Sequence, residues 1–108
     1  MTELKETIQP MTSDDYKQRF IAEYWQTEIR YEKLRNFCDK IEAAELMKSK
    51  GKNIPMPKYD CPLELLREQQ SVVGKLLHIL ELRAVIEGVD LNQPIESNDI
   101  AYEDGLLA

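Results

Sequence analysis

Two long stretches of the chain repeat apolar residues at helical spacing. In the first, Tyr16, Phe20, Tyr24, Tyr31, Leu34, Cys38 and Ile41 follow one another at steps of three, four or seven, and Ile21, Trp25, Ile29 and Phe37 widen the stripe. Thr12-Ser13-Asp14-Asp15 precedes it, with hydroxyls suited to capping and acids suited to the positive end of the helix dipole. Thr12 with Asp15 imitates a capping box. Lys48, Lys50 and Gly51 supply the stop. The pattern predicts one helix of about 37 residues, roughly 55 Å long, with a bend possible near Ala43–Leu46. GKNIPMPKYDC, residues 51–61, reads as a loop because of its glycine and two prolines. Cys61-Pro62 opens a second helix, with proline at the first helical position, and Gly88 closes it.

The second helix is apolar on two adjacent stripes. Leu66, Val73, Leu77, Leu80 and Ala84 form one; Leu65, Val72, Leu76, Ile79 and Ile86 form the other. A single partner helix covers only one. A hairpin has little interior, and large exposed apolar patches seldom persist on soluble monomers. The expected fold is therefore all-α: a two-helix antiparallel hairpin that assembles into a homo-oligomeric helical bundle. Leu77→Asp is expected to break that assembly first. Gly74, inside the second helix, reads either as a close approach at a subunit contact or as a tolerated exposed glycine. Arg83 reads as an interface ion-pair residue or as one that snorkels outward.

Charge divides the chain further. Among 108 residues, twenty Asp+Glu against fourteen Lys+Arg give a net charge of −6. Residues 89–108 hold Asp90, Glu96, Asp99, Glu103 and Asp104 and no Lys or Arg. The expected organisation is an N-terminal lead-in over 1–12, a helical hairpin domain over 13–88, and an extended or disordered acidic tail over 89–108, with a helical turn allowed around Ile100–Leu107. An acidic chain argues against general nucleic-acid binding, so no direct DNA binding is expected. No apolar run spans a membrane, and the start MTELKETIQP lacks a signal-peptide layout, which points to the cytoplasm. Cys38 and Cys61 are expected to be thiols.

Catalytic patterns are missing. His78 is the single histidine and has no evident nucleophile partner, so it reads as a half-exposed helix residue. The cysteines and histidine lack zinc-site spacing, and no Walker loop or GxGxxG occurs. The expectation is a protein that is not an enzyme, without metal or cofactor. The first helix mixes aromatics with bases: Tyr16, Tyr24, Trp25, Arg30, Tyr31, Lys33 and Arg35. Aromatic faces stack on nucleobases and bases pair with phosphates. Arg67, Gln69 and Gln70 lie near the start of the second helix, where free N–H groups favour an anion. Tyr16, Tyr24, Arg30, Lys33, Arg67 and Gln70 are thus the candidate ligand-binding residues. Core packing of the aromatics and surface pairing of the bases are the competing explanations.

The segments Arg30-Tyr31-Glu32-Lys33-Leu34-Arg35-Asn36-Phe37, Cys61-Pro62, Gln69-Gln70 and Leu80-Glu81-Leu82-Arg83-Ala84-Val85-Ile86-Glu87-Gly88 resemble those of small phage-encoded helical-hairpin proteins. More distantly they resemble the hairpin domain of phage anti-CBASS and anti-Thoeris nucleotide sponges. The long loop Lys48–Lys58, Gly74 and the acidic tail depart from that pattern. The resemblance implies a homo-oligomer, often a hexamer. It would act in the host cytoplasm, sequestering cyclic dinucleotide or related nucleotide immune signals without cleaving them. It directs attention to Arg30, Lys33 and the Cys61–Gln70 helix start. Two other readings stay open. One is a protein-binding inhibitor of a host defence complex, anti-CRISPR-like or an adaptor, with the acidic tail mimicking a nucleic-acid backbone. The other is a structural phage protein.

Overall fold

The computed structural model describes residues 3–92. Their elements are a 3-10 turn at Leu4–Thr7 and three α-helices: α1 Ile8–Met11, α2 Tyr16–Ser49 and α3 Leu63–Glu87. No strand occurs among the described residues. The all-helical class stands, but the two-helix expectation was incomplete, because part of the lead-in is itself helical.

Local chemistry explains the boundaries. Asp15 is the cap of α2: its carbonyl accepts from the Arg19 N–H and its carboxylate from the Lys17 N–H, both within 3.1 Å. Ser13 supports Asp15 by accepting its N–H at 3.0 Å. Thr12 does not cap α2. Its hydroxyl turns back to the Gln9 carbonyl and finishes α1. At the far end, Lys52 N–H reaches the Met47 carbonyl and Gly51 N–H the Lys48 carbonyl, both at 3.0 Å. That Schellman arrangement requires the left-handed φ of +79° at Gly51. Gly88, at φ +72°, closes α3 the same way. Val89 N–H bonds the Ala84 carbonyl at 2.8 Å, and both side chains are buried. Pro62 sits one place earlier than expected. It is the cap of α3, accepting from Leu65 and Leu66 N–H.

The chain divides into two compact units, Met1–Ile29 with Leu77–Ala108, and Arg30–Leu76. In the first unit Phe20, Ile21, Leu80, Ala84 and Val89 make the core, with Tyr24, Trp25 and Leu91 packed against it. Contacts run antiparallel: Tyr16 meets Glu87, Phe20 meets Arg83 and Tyr24 meets Glu81. The buried Thr7 donates to the Leu4 carbonyl and accepts from Gln26 Nε2 at 2.9 Å, which ties the lead-in to α2. Trp25 Nε1 donates to the Leu91 carbonyl at 2.9 Å. Residues 89–91, expected to begin the tail, therefore pack on this core. Residues 93–108 of the acidic tail, including Ile100–Leu107, lie outside the described residues.

In the second unit Cys38, Ile41 and Ala44 are buried. Tyr31 packs over Gly74, where an added Cβ would come 3.3 Å from Tyr31 Cε1. Gly74 thus permits a close approach within the chain, in place of the subunit-contact and idle roles expected from sequence. Leu77, in the first unit, is also buried within a single chain, so Leu77→Asp tests folding before assembly. On α3, Leu65, Val72, Leu76, Ile79 and Ile86 are all exposed.

Candidate functional site

Tyr16 and Tyr24 belong to the first unit, and both hydroxyls are engaged. Tyr16 donates to Glu87 at 2.9 Å and accepts from Arg83 Nη2 at 2.6 Å. Arg83 also lies 4.9 Å from the Phe20 ring centroid and bonds Glu87 through Nε at 3.0 Å. This resolves the two sequence readings of Arg83: it is an ion-pair residue within its own chain. Hydrogen bonds from Tyr16 and Arg83 hold the Glu87 carboxyl below its usual range.

Tyr24 donates to Glu81 at 2.9 Å, and its ring meets Trp25 edge-on at 5.2 Å. Burial raises the phenol from about 10 to about 12, helped by the hydrogen bond to Glu81 and the charges of Glu81 and Glu28. The folded protein thus holds this proton more tightly than the unfolded chain. Stability from Tyr24 is complete below pH 10 and disappears as pH rises toward 12. Titration at 295 nm should show late-ionising phenols, since Tyr16 is raised as well by its hydrogen bond to Glu87, and Tyr24→Phe should take amplitude from the latest part of the curve. Loss of that amplitude near pH 10 in place of the late part would refute it.

Arg67 and Gln70, in the second unit, meet each other at 2.6 Å. Arg67 also bonds Asp39 at 3.0 Å and Glu42. Those carboxylates, Glu42 first, raise its pKa. The cleft beside it, about 490 Å³, is lined by Glu42, Glu45, Glu64 and Tyr59 as well as Arg67. Carboxylates outnumber the one guanidinium, which itself is already paired. This cleft disfavours an anion.

The opposite charge collects elsewhere in the same unit. Arg30, Lys33 and Lys40 flank the half-buried Phe37 on α2 at helical spacings of three and four. All three cations are exposed. None forms an ion pair among the described residues: no acid stands three or four places from any of them on α2, and Glu32, Asp39 and Glu42 pair instead with Arg35 and Arg67. An aromatic ring between unpaired cations suits a small polyanion with a planar group. Lys40 and Phe37 were not among the residues selected from sequence, although the i, i+3, i+7, i+10 series could have shown them.

A family model described as Sequestin matches residues 14–86. The chain belongs to the Sequestin family. The match covers α2 and all of α3 but Glu87; it includes Arg30–Phe37 and, of the Leu80–Gly88 segment that also carried the sequence resemblance, residues up to Ile86. Membership in Sequestin implies binding and sequestering of a ligand in place of catalysis. No curated protein and no solved structure matches the chain. Among the described residues of this Sequestin member, no group of three or more His, Cys, Asp or Glu could hold a metal ion. No described helix is long and apolar enough to cross a membrane.

Proposed function

We propose that this Sequestin member is a phage anti-defence protein that captures cyclic nucleotide immune signals of the CBASS or Thoeris type in the host cytoplasm. It holds them without cleaving them, and copies of the chain associate as they do so. The observation that carries this reading is the ion-pair-free row Arg30, Lys33 and Lys40 around Phe37, inside the family-matched segment. The cations take phosphate oxygens, whose charge makes such hydrogen bonds short and strong. Phe37 presents a face for a base. Sequestration needs no acid, base or nucleophile. It needs only that bound signal be unavailable to the effector it would activate.

Calorimetry against a panel of cyclic dinucleotides and cyclic ADP-ribose isomers tests the proposal. At least one compound should release heat and raise the melting temperature, since a ligand selective for the folded state stabilises it. The absence of both for every compound would overturn the reading.

A further inference from the structure

We infer that the exposed face of α3 in the second unit is a self-complementary docking surface for a second copy of the chain, running antiparallel. This rests on the proposal that copies associate, and not on the identity of the ligand. Leu65, Gln69, Val72 and Leu76 stand at successive steps of four, three and four. That alternation is the seam spacing of paired helices. All four are exposed, Leu65 by 53% and Val72 by 58%, although three are aliphatic. A groove of about 340 Å³ runs along this seam between Leu65, Leu66, Gln69, Val72 and Val73.

The charges select the occupant and its direction. Glu68 and Lys75 flank the seam on one side, seven residues apart, and neither has an ion pair among the described residues. A two-fold axis crossing α3 between Gln69 and Val72 sets Leu65 against Leu76 of the partner subunit and Gln69 against Val72 of the partner subunit. The same axis brings Glu68 to Lys75 of the partner subunit, and by symmetry this happens twice. On the other side it sets Leu66 against Val73 of the partner subunit, apolar against apolar. Sliding the pairing by one heptad brings Lys75 against Lys75 of the partner subunit. A parallel pairing gives Glu68 and Lys75 only aliphatic neighbours. One register therefore satisfies both the apolar and the charged positions.

Light scattering and sedimentation on the full chain test this. The wild-type protein should self-associate at micromolar concentration. Val72→Asp should be monomeric with unchanged helical circular dichroism, since Val72 is exposed in the single chain. Glu68→Lys and Lys75→Glu each place like charges across the axis, and each should weaken self-association roughly tenfold. Mixed together, these two variants should form a heterodimer at least as tight as the wild type. Failure of the mixture to recover association would overturn the antiparallel register. A monomeric wild type that still releases heat with a nucleotide would overturn the interface and leave the ligand proposal standing. A self-associating protein that takes no nucleotide would do the converse.

Discussion

Replacing Leu80 with Ala is expected to lower the free energy of unfolding by about 3 kcal/mol. Leu80 is 2% exposed and stands among Phe20, Ile21, Ala84 and Val89. Removing its isobutyl group deletes buried apolar area and leaves a void that the surrounding rings cannot fill without moving. A domain of this size has only about 5–15 kcal/mol of stability, so the change is a large fraction of the whole. Val85→Ala, five positions along the same helix and 81% exposed, is the control and should change stability by less than about 0.5 kcal/mol. Urea denaturation of the two variants separates them. Equal midpoints would show that the first unit does not depend on this core.

Reversing both Arg30 and Lys33 to Glu should weaken binding of any cyclic nucleotide at least about a hundredfold while the helices persist. Both residues are exposed and neither bridges to an acid among the described residues, so folding loses little. In the proposed site the ligand would lose two phosphate contacts and meet two carboxylates in their place. Arg67→Gln should leave ligand affinity within about threefold, because Arg67 is already held by Asp39, Glu42 and Gln70. Calorimetry of both variants decides between the two regions. A hundredfold loss in the Arg67 variant with none in the double reversal would move the site to the α3 start.

Much of this architecture was legible in residue order. Gly51 and Gly88 end α2 and α3 where their freedom at positive φ is needed, and the acids before Tyr16 announced the start of α2. The two stripes of α3 were separable by spacing alone. Less legible was anything joining residues distant in sequence. Nothing local says that Trp25 donates to the Leu91 carbonyl, or that Gln26 reaches Thr7, so the lead-in and the turn after Gly88 looked unattached. The candidate cations show the same limit. Arg30 and Arg67 look equivalent as residue types. Only the pairing of α2 with α3 within the second unit reveals that one is occupied by carboxylates and the other is not.

The thiols differ in a way that has a practical consequence. Cys38 is buried, whereas Cys61 is exposed at the edge of the groove on α3. A maleimide dye added to the native protein should attach at Cys61 alone, since reaction requires access. Its emission then tests the proposed self-association, which would draw water away from that edge. Cys38 becomes available only when the second unit opens, so a second equivalent of dye counts molecules passing through the opened state, and its rate of uptake clocks how often they do.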